Sequence, residues 1–432
     1  MIPFILRDRL DIPQSQVQFW TSFLLASFAG ASVLFCLPSG IISDRSSSRQ
    51  WPFLAGLIAL FSATALFSVA QSILWLVVAR ILQGMAAAVV WTVGMALLMD
   101  TVGSENLGEA LGTVFSITSV GELIAPVVGG VAYERFGSNA VFGVGFLLIA
   151  IDLVMRIFLI EKKTAAEYGP LDSGSITSDL TDEEAVTEQT PLVAKNDILE
   201  EDWKLPPNLP AWVRTFPIVY CLRNPRLLVA MVFSMAQAII IGVYDATLPI
   251  EAQVLYNFNS LQAGLLFAPL VFPNLIFGPI MGKAVDRYGT KPSAVIGMAF
   301  LAVALNLLRI PQAGSTATTR QYEIAKLCTI LAFNSIGLSI ISAPGVVEQS
   351  NVVKNYHLAN KEFFGEQGPY AQLYAFNSIF FSAGLAVGPM MAGMLRESYG
   401  YGNMNTAVSG LCLMVSILSY FYMGEKPRPR DE

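Results

Sequence analysis

Gly40-Ile41-Ile42-Ser43-Asp44-Arg45-Ser46-Ser47-Ser48-Arg49 is a short charged connection between two long apolar runs. About 240 residues later it has an echo, Gly282-Lys283-Ala284-Val285-Asp286-Arg287-Tyr288-Gly289-Thr290-Lys291. Both stretches read Gly, three residues, Asp-Arg, three residues, then a cation. Each follows one helix-length apolar segment and precedes another. A pattern repeated at that distance marks two copies of one unit, as internally duplicated membrane proteins show.

Composition narrows the class. The chain has 432 residues, 54% hydrophobic and 13% charged, with a mean hydropathy of +0.56. Soluble domains carry about 25% charged residues. Continuous apolar runs recur, each long enough to cross a ~30 Å hydrocarbon core as a helix. They do not alternate, which excludes a transmembrane β-barrel. No basic patch supports nucleic-acid binding. Cys36, Cys221, Cys328 and Cys412 stand singly, with neither a disulfide framework nor metal-ligand spacing. His357 is the single histidine, so a His-based metal site or a Ser/His triad finds no support. No metal, no cofactor and no enzymatic activity are expected. No signal peptide is evident, because Arg7 interrupts the first apolar residues.

The runs predict helices over 18–42, 52–70, 74–99, 109–132, 140–160, 227–249, 261–281, 292–309, 324–349, 370–395 and 405–423. The expected architecture is an all-α polytopic membrane protein. A first bundle spans 1–160, a polar segment 161–225 and a six-helix bundle 226–423, with a tail at 424–432. The polar segment contains Thr181-Asp182-Glu183-Glu184, and its first half reads as disordered. Trp203 and Trp212 suit a membrane surface. Five spans before the segment and six after it are uneven for a duplicated chain. Met1–Leu6 reads as the tail of a further helix, so a twelve-helix plan with one helix before Arg7 is expected. Both Asp-Arg loops then follow the second helix of their half. The Lys and Arg bias, with Arg45, Arg49, Lys283, Arg287 and Lys291 on one side, assigns these loops to the cytoplasm.

At this point the chain resembles the major facilitator superfamily over nearly its whole length. The two Asp-Arg stretches match the loop signature between the second and third helices and its copy between the eighth and ninth. Arg80-Ile81-Leu82-Gln83-Gly84 resembles the fourth-helix signature. Gly121 through Pro126 to Gly129-Gly130 resembles the fifth-helix signature of proton antiporters, with Ala125 where a Gly usually precedes the Pro. The chain looks most like fungal drug:proton antiporter and vesicular amine transporter-like members. The vesicular carriers have a Lys in the second helix and an Asp in the eleventh; the matching positions here are Phe28 and Ser378. The resemblance implies two six-helix bundles, transport by alternating access and a monomer in the lipid bilayer.

The candidate residues follow from charge and polarity inside apolar helices, where burial is expensive. Glu122, Asp245 and Glu348 are intramembrane carboxylates, and Asn274, Gln372, Tyr374 and Asn377 are polar groups able to bond a substrate. All are candidates for the substrate or proton path, with Glu348 also readable as the first turn of a loop after Pro344-Gly345. With His357 placed in a loop, proton coupling would use carboxylates, a proton and a substrate cation competing for Asp245 or Glu122. Gly40, Asp44, Arg45 and Arg49, with Gly282, Asp286, Arg287 and Lys291, form a candidate conformational latch; the bland alternative is a pair of positive-inside turns. Arg80, Gln83 and Gly84 form the fourth-helix motif. Gly121, Pro126, Gly129 and Gly130 are expected to put a small-residue face at the contact between halves.

The expected function is secondary transport of a small organic, amphiphilic solute, by antiport with protons. Uniport or symport on the same fold, and a non-transporting sensor, scaffold or inactive truncated form, stay open. The membrane is expected to be the plasma membrane or a vacuolar or vesicular one.

Overall fold

The computed structural model describes residues 5–7, 9–10, 12–46, 48–158, 203–206, 216–258, 260–312, 317–365 and 368–424. Most of the polar segment expected to be disordered, Trp212 and the tail from 425 lie outside the described residues, as does the side chain of Pro126. The regular elements are α-helices: α1 Gln14–Arg45, α2 Gln50–Val69, α3 Ile73–Val102, α4 Leu107–Phe136 and α5 Ser138–Phe158 in the first half. In the second half they are α6 Ile218–Cys221, α7 Pro225–Tyr256, α8 Ser260–Leu265, α9 Ala268–Tyr288 and α10 Thr290–Leu307. They continue with α11 Ala317–Ile341, α12 Pro344–Ala359, α13 Lys361–Phe364 and α14 Tyr370–Tyr422.

Among the described residues, 10 stretches are long and apolar enough to cross a membrane. The last, α14, has 53 residues. At 1.5 Å per residue it would measure about 80 Å, far beyond a ~30 Å core. Gly400, at φ 80° and ψ 165°, breaks it into two crossings, close to the two helices expected there. In the 41-residue span Thr319–Ala359 the chain leaves α11 at Ile341 and restarts α12 at Pro344. Proline tolerates that first helical position because its missing N–H would be unpaired there anyway.

Each half packs its own core. In the first half Leu24, Phe67, Leu76 and Phe142 are buried together with Ile5 and Leu6. In the second, Phe233, Met298, Leu301, Leu331, Met404 and Val408 are buried. A third cluster joins the halves at one end, bringing Met95, Met99, Leu107 and Leu111 against Val352, Val353, Tyr370 and Tyr374. Large apolar side chains elsewhere on the helices face outward, Leu34 and Phe272 among them, as lipid-facing surfaces require.

The closest approach of the halves is an antiparallel ladder of small residues on α4 and α9. A Cβ added to Gly112 would lie 2.2 Å from the Gly278 carbonyl oxygen, and one on Gly282 would lie 2.1 Å from the Gly108 oxygen. One rung further, Ser116 Oγ donates to the Asn274 carbonyl at 2.8 Å. The four-residue spacing keeps these groups on one face of each helix. This corrects the expectation for Gly121, Gly129 and Gly130. Outside α4's own adjacent backbone, no heavy atom lies within 4 Å of a Cβ built on any of them; the rungs at Gly108, Gly112 and Ser116 all precede them in the chain. The inter-half contact uses the first three turns of α4 instead.

Gly112→Val and Gly278→Val each drive a side chain into backbone that cannot yield. Overpacking of this kind costs about 1–3 kcal/mol, and a fall in the thermal unfolding midpoint of the detergent-solubilised protein is the expected reading. Gly129→Ala, with open space around it, is expected to leave that midpoint unchanged or raise it.

Candidate functional site

Among the helices that begin without a side-chain cap of their own, two meet the opposite half at their N-termini. Neither Pro369 before α14 nor Asn106 before α4 makes a side-chain capping bond. Their first amides would be orphans. Each is capped from the other half. Asp44 of α1 accepts from Ala371 N at 2.9 Å and Gln372 N at 3.0 Å. Asp286 of α9 accepts from Gly108 N at 2.7 Å and Glu109 N at 2.8 Å. A carboxylate at a helix N-terminus satisfies orphan donors and meets the positive end of the helix dipole.

The glycine one turn before each aspartate has a geometric reason. A Cβ on Gly40 would lie 2.9 Å from the Ala371 oxygen. Gly40 and Gly282 let the helices touch backbone to backbone, and only then does the carboxylate four residues on reach the facing amides. Arg45 and Arg287 are exposed and take no part in the caps.

The two caps differ in charge. In the first half Arg49, 1% exposed, bridges Asp44 at 3.2 Å and Asp100 of α3 at 2.7 Å. In the second half the matching cation, Lys291, lies with Nζ 4.8 Å from the Tyr420 ring centroid. Its position in the repeat matches that of Arg49; its environment does not. Lys354 of α12 adds a further link between the halves, donating to Ser104 Oγ at 2.5 Å. Asp100, Ser104 and Lys354 were not singled out from sequence, since each is an ordinary polar residue near a helix end.

The fourth-helix motif ties the first half together. Arg80 donates to Leu24 O at 3.4 Å and Gln83 Oε1 at 3.1 Å, and its guanidinium lies 4.8 Å from the Phe28 ring centroid. Gln83 donates to Thr64 Oγ1 at 3.1 Å. Gly84 lets α1 approach, since a Cβ there would lie 2.2 Å from Phe28 O.

Of the path candidates, Glu122 of α4 and Asp245 of α7 are both exposed, and they come from opposite halves. Asn274 is instead a joint: Nδ2 donates to Ser119 Oγ of α4 at 3.3 Å and Oδ1 accepts from Ser339 Oγ of α11 at 2.8 Å. Gln372, Tyr374 and Asn377 are buried. Gln372 sits at the Asp44 cap, Tyr374 O–H pairs with Ser350 Oγ at 2.9 Å, and Asn377 Oδ1 accepts from Gln349 Nε2 at 3.0 Å. All three lie in packed protein where α14 meets α1 and α12.

Glu348 requires a correction. It is neither in a loop nor on an open path. It is fully buried on α12, paired with Arg226 of α7, and accepts from Thr290 Oγ1 at the start of α10. Gly424 N, just past α14, donates to it at 2.8 Å. Its oxygens are occupied by internal partners, which makes it a structural node of the second half. His357, expected in a loop, lies in the last turn of α12 with Nε2 2.8 Å from Gly365 O.

The family model described as Major Facilitator Superfamily matches residues 1–352. The MFS-type transporter ppzB of Metarhizium rileyi is 43% identical over 98% of this chain and 90% of that protein. The uncharacterized MFS-type transporter C18.02 of Schizosaccharomyces pombe is 36% identical over 97% of this chain and 90% of that protein. The synaptic vesicular amine transporter of Mus musculus is 22% identical over 95% of this chain and 67% of that protein. Among solved structures, the human organic anion transporter MFSD10 (TETRAN) overlays with a TM-score of 0.63 at 16% identity, covering 97% of this chain and 93% of that one.

Removing a helix cap costs about 1 kcal/mol. Asp44→Ala is therefore expected to raise severalfold the rate at which maleimide labels Cys36, which is buried against Ala88 and Ala375 where α1 meets α14; an unchanged rate would show that the cap does not hold this end shut. Arg226→Met strands a buried carboxylate, at a cost of about 3–5 kcal/mol. A lower unfolding midpoint is expected, partly recovered in the double variant Arg226→Met/Glu348→Met.

Proposed function

Since the chain belongs to the major facilitator superfamily and is an integral membrane transporter, we propose that it moves a small organic, amphiphilic solute by alternating access in exchange for protons. The observation that carries this reading is the pair of capping contacts at Asp44 and Asp286. Each is a bond between halves that can form and break as a unit, which is what a two-state gate needs. The Asp-Arg loops face the cytoplasm in this reading, so the structure corresponds to the state closed on that side. Gly40, Asp44 and Arg49, with Gly282 and Asp286, act as the latch.

Glu122 and Asp245 support the coupling. They are exposed carboxylates on opposite halves; such groups repel when both are ionised and near each other, and a proton or a substrate cation relieves that repulsion. Competition between them for one site is the simplest antiport scheme. The relatives add direction: the ppzB proteins are MFS-type transporters, and the vesicular amine carriers align along the chain at lower identity. Phe28 and Ser378 stand where the vesicular carriers place Lys and Asp, and Phe28 lies against Arg80. This favours an organic solute of a different kind from the vesicular amines. The membrane is the plasma membrane or a vesicular one.

A deletion strain screened against toxic compounds would supply a substrate. In reconstituted vesicles, Glu122→Gln and Asp245→Asn are each expected to reduce uptake driven by a pH gradient by tenfold or more. If both variants take up substrate as the parent does, the antiport scheme is wrong.

A further inference from the structure

Among the described residues of the polar segment between the halves, a short stretch lies against the protein ahead of α6. Residues 203–206, Trp203-Lys204-Leu205-Pro206, alternate in burial: Trp203 and Leu205 are half-buried, Lys204 and Pro206 exposed. That period of two belongs to an extended strand lying on a surface. Trp203 and Leu205 pack on the apolar cluster that joins the halves. The Trp203 ring meets Tyr356 of α12 edge-on at 4.9 Å.

One side chain bonds the backbone of this stretch twice. Asn360, at the end of α12, donates from Nδ2 to Trp203 O at 2.8 Å and accepts at Oδ1 from Leu205 N at 2.9 Å. Its Nδ2 also donates to Tyr356 O at 2.9 Å. The amide thus serves both backbone groups flanking Lys204, as a neighbouring strand would. Beyond the strap, Ile218 and Cys221 of α6 are fully buried in the same cluster, and Tyr220 stands 6.2 Å from Tyr356.

The seat is state-dependent. The cluster that Trp203 and Leu205 pack against includes Met95, Met99, Leu107 and Leu111 of the first half as well as Val353 and Tyr356 of the second. It is continuous across the halves only while they are together at this end. We propose that residues 203–206 form an intramolecular strap that restrains opening of the cytoplasmic end, with Trp203 as its anchor and Asn360 as its clasp. Whatever binds the closed end adds its own free energy to that state, and lifting it shifts the balance toward opening. The consequence for transport rests on the alternating-access reading above; docking and closure are measured without substrate or protons.

The test uses the full chain in nanodiscs. Trypsin cleaves after Lys204, and a short bis-maleimide bridges Ser104→Cys to Lys354→Cys across the closed end. Relative to that background, Trp203→Ala and Asn360→Ala are expected to speed cleavage severalfold. They should lower bridging by roughly three- to tenfold, the value of one or two hydrogen bonds. Lys204→Arg, whose side chain faces outward, should change neither. Unchanged cleavage would overturn the docking, and faster cleavage with unchanged bridging would overturn the restraint. Because a misfolded variant would also bridge poorly, a synthetic peptide of residues 199–210 is added to the Trp203→Ala chain: recovery of bridging supports the strap and no recovery overturns it.

Discussion

The structure depends on two helix N-termini capped by carboxylates from the opposite half. Helix α4 and helix α14 begin with free amides and no side-chain cap of their own. Asp286 and Asp44 fill those positions in trans. Much of the local geometry follows from this demand. A carboxylate is short, so the helices must come within backbone contact, and only glycine one turn earlier permits it. Each cap is worth about 1 kcal/mol, which is small beside the apolar cluster next to it. That scale suits a contact meant to break and reform.

The repeat is faithful in backbone and unequal in chemistry. On the α4–α9 side the halves meet along a polar, glycine-lined ladder ending in Asn274. On the α1–α14 side Gly40 and Cys36 meet Ala371 and Ala375. Arg49 draws Asp44 into a chain of charges with Asp100, while Lys291 turns to Tyr420. The second half invests its buried charge elsewhere, in Arg226 and Glu348, which fasten the starts of α7 and α10 to the end of α14. Two copies of one signature have thus come to hold the same end of the molecule by different electrostatics.

The capped end and the exposed carboxylates Glu122 and Asp245 on opposite halves fit the proposed cycle. In the proposed cycle the caps, the Lys354–Ser104 bond and the docked strap favour one state, and the charge on Glu122 and Asp245 would set how readily it is left. The strap gives the long central segment a mechanical role that composition would not assign to it. Trp203 was expected at a membrane surface because tryptophan favours that boundary. The structure places it against Tyr356, where an edge-to-face pair and the Asn360 clasp outweigh that preference.

The helices, their order and the kinship of the two Asp-Arg loops were legible from sequence, because hydrophobic length and a repeated local signature are both local quantities. The break near Gly400 was legible for the same reason: two apolar runs were already separate there. Residues whose meaning depends on what lies opposite were not legible. Glu348 reads as a path-lining carboxylate or the first turn of a loop until Arg226, Thr290 and Gly424 close around it from residues distant in the chain. Gly121, Gly129 and Gly130 have the spacing of a packing face, yet the packing runs through Gly108, Gly112 and Ser116, because where two helices part is set by the whole bundle. The sequence alone determined that this chain is a duplicated, helical membrane protein with a charged turn at one end of each half. Only the tertiary structure decided which amides those turns reach, since a helix N-terminus can be capped by any carboxylate that the fold brings within about 3 Å.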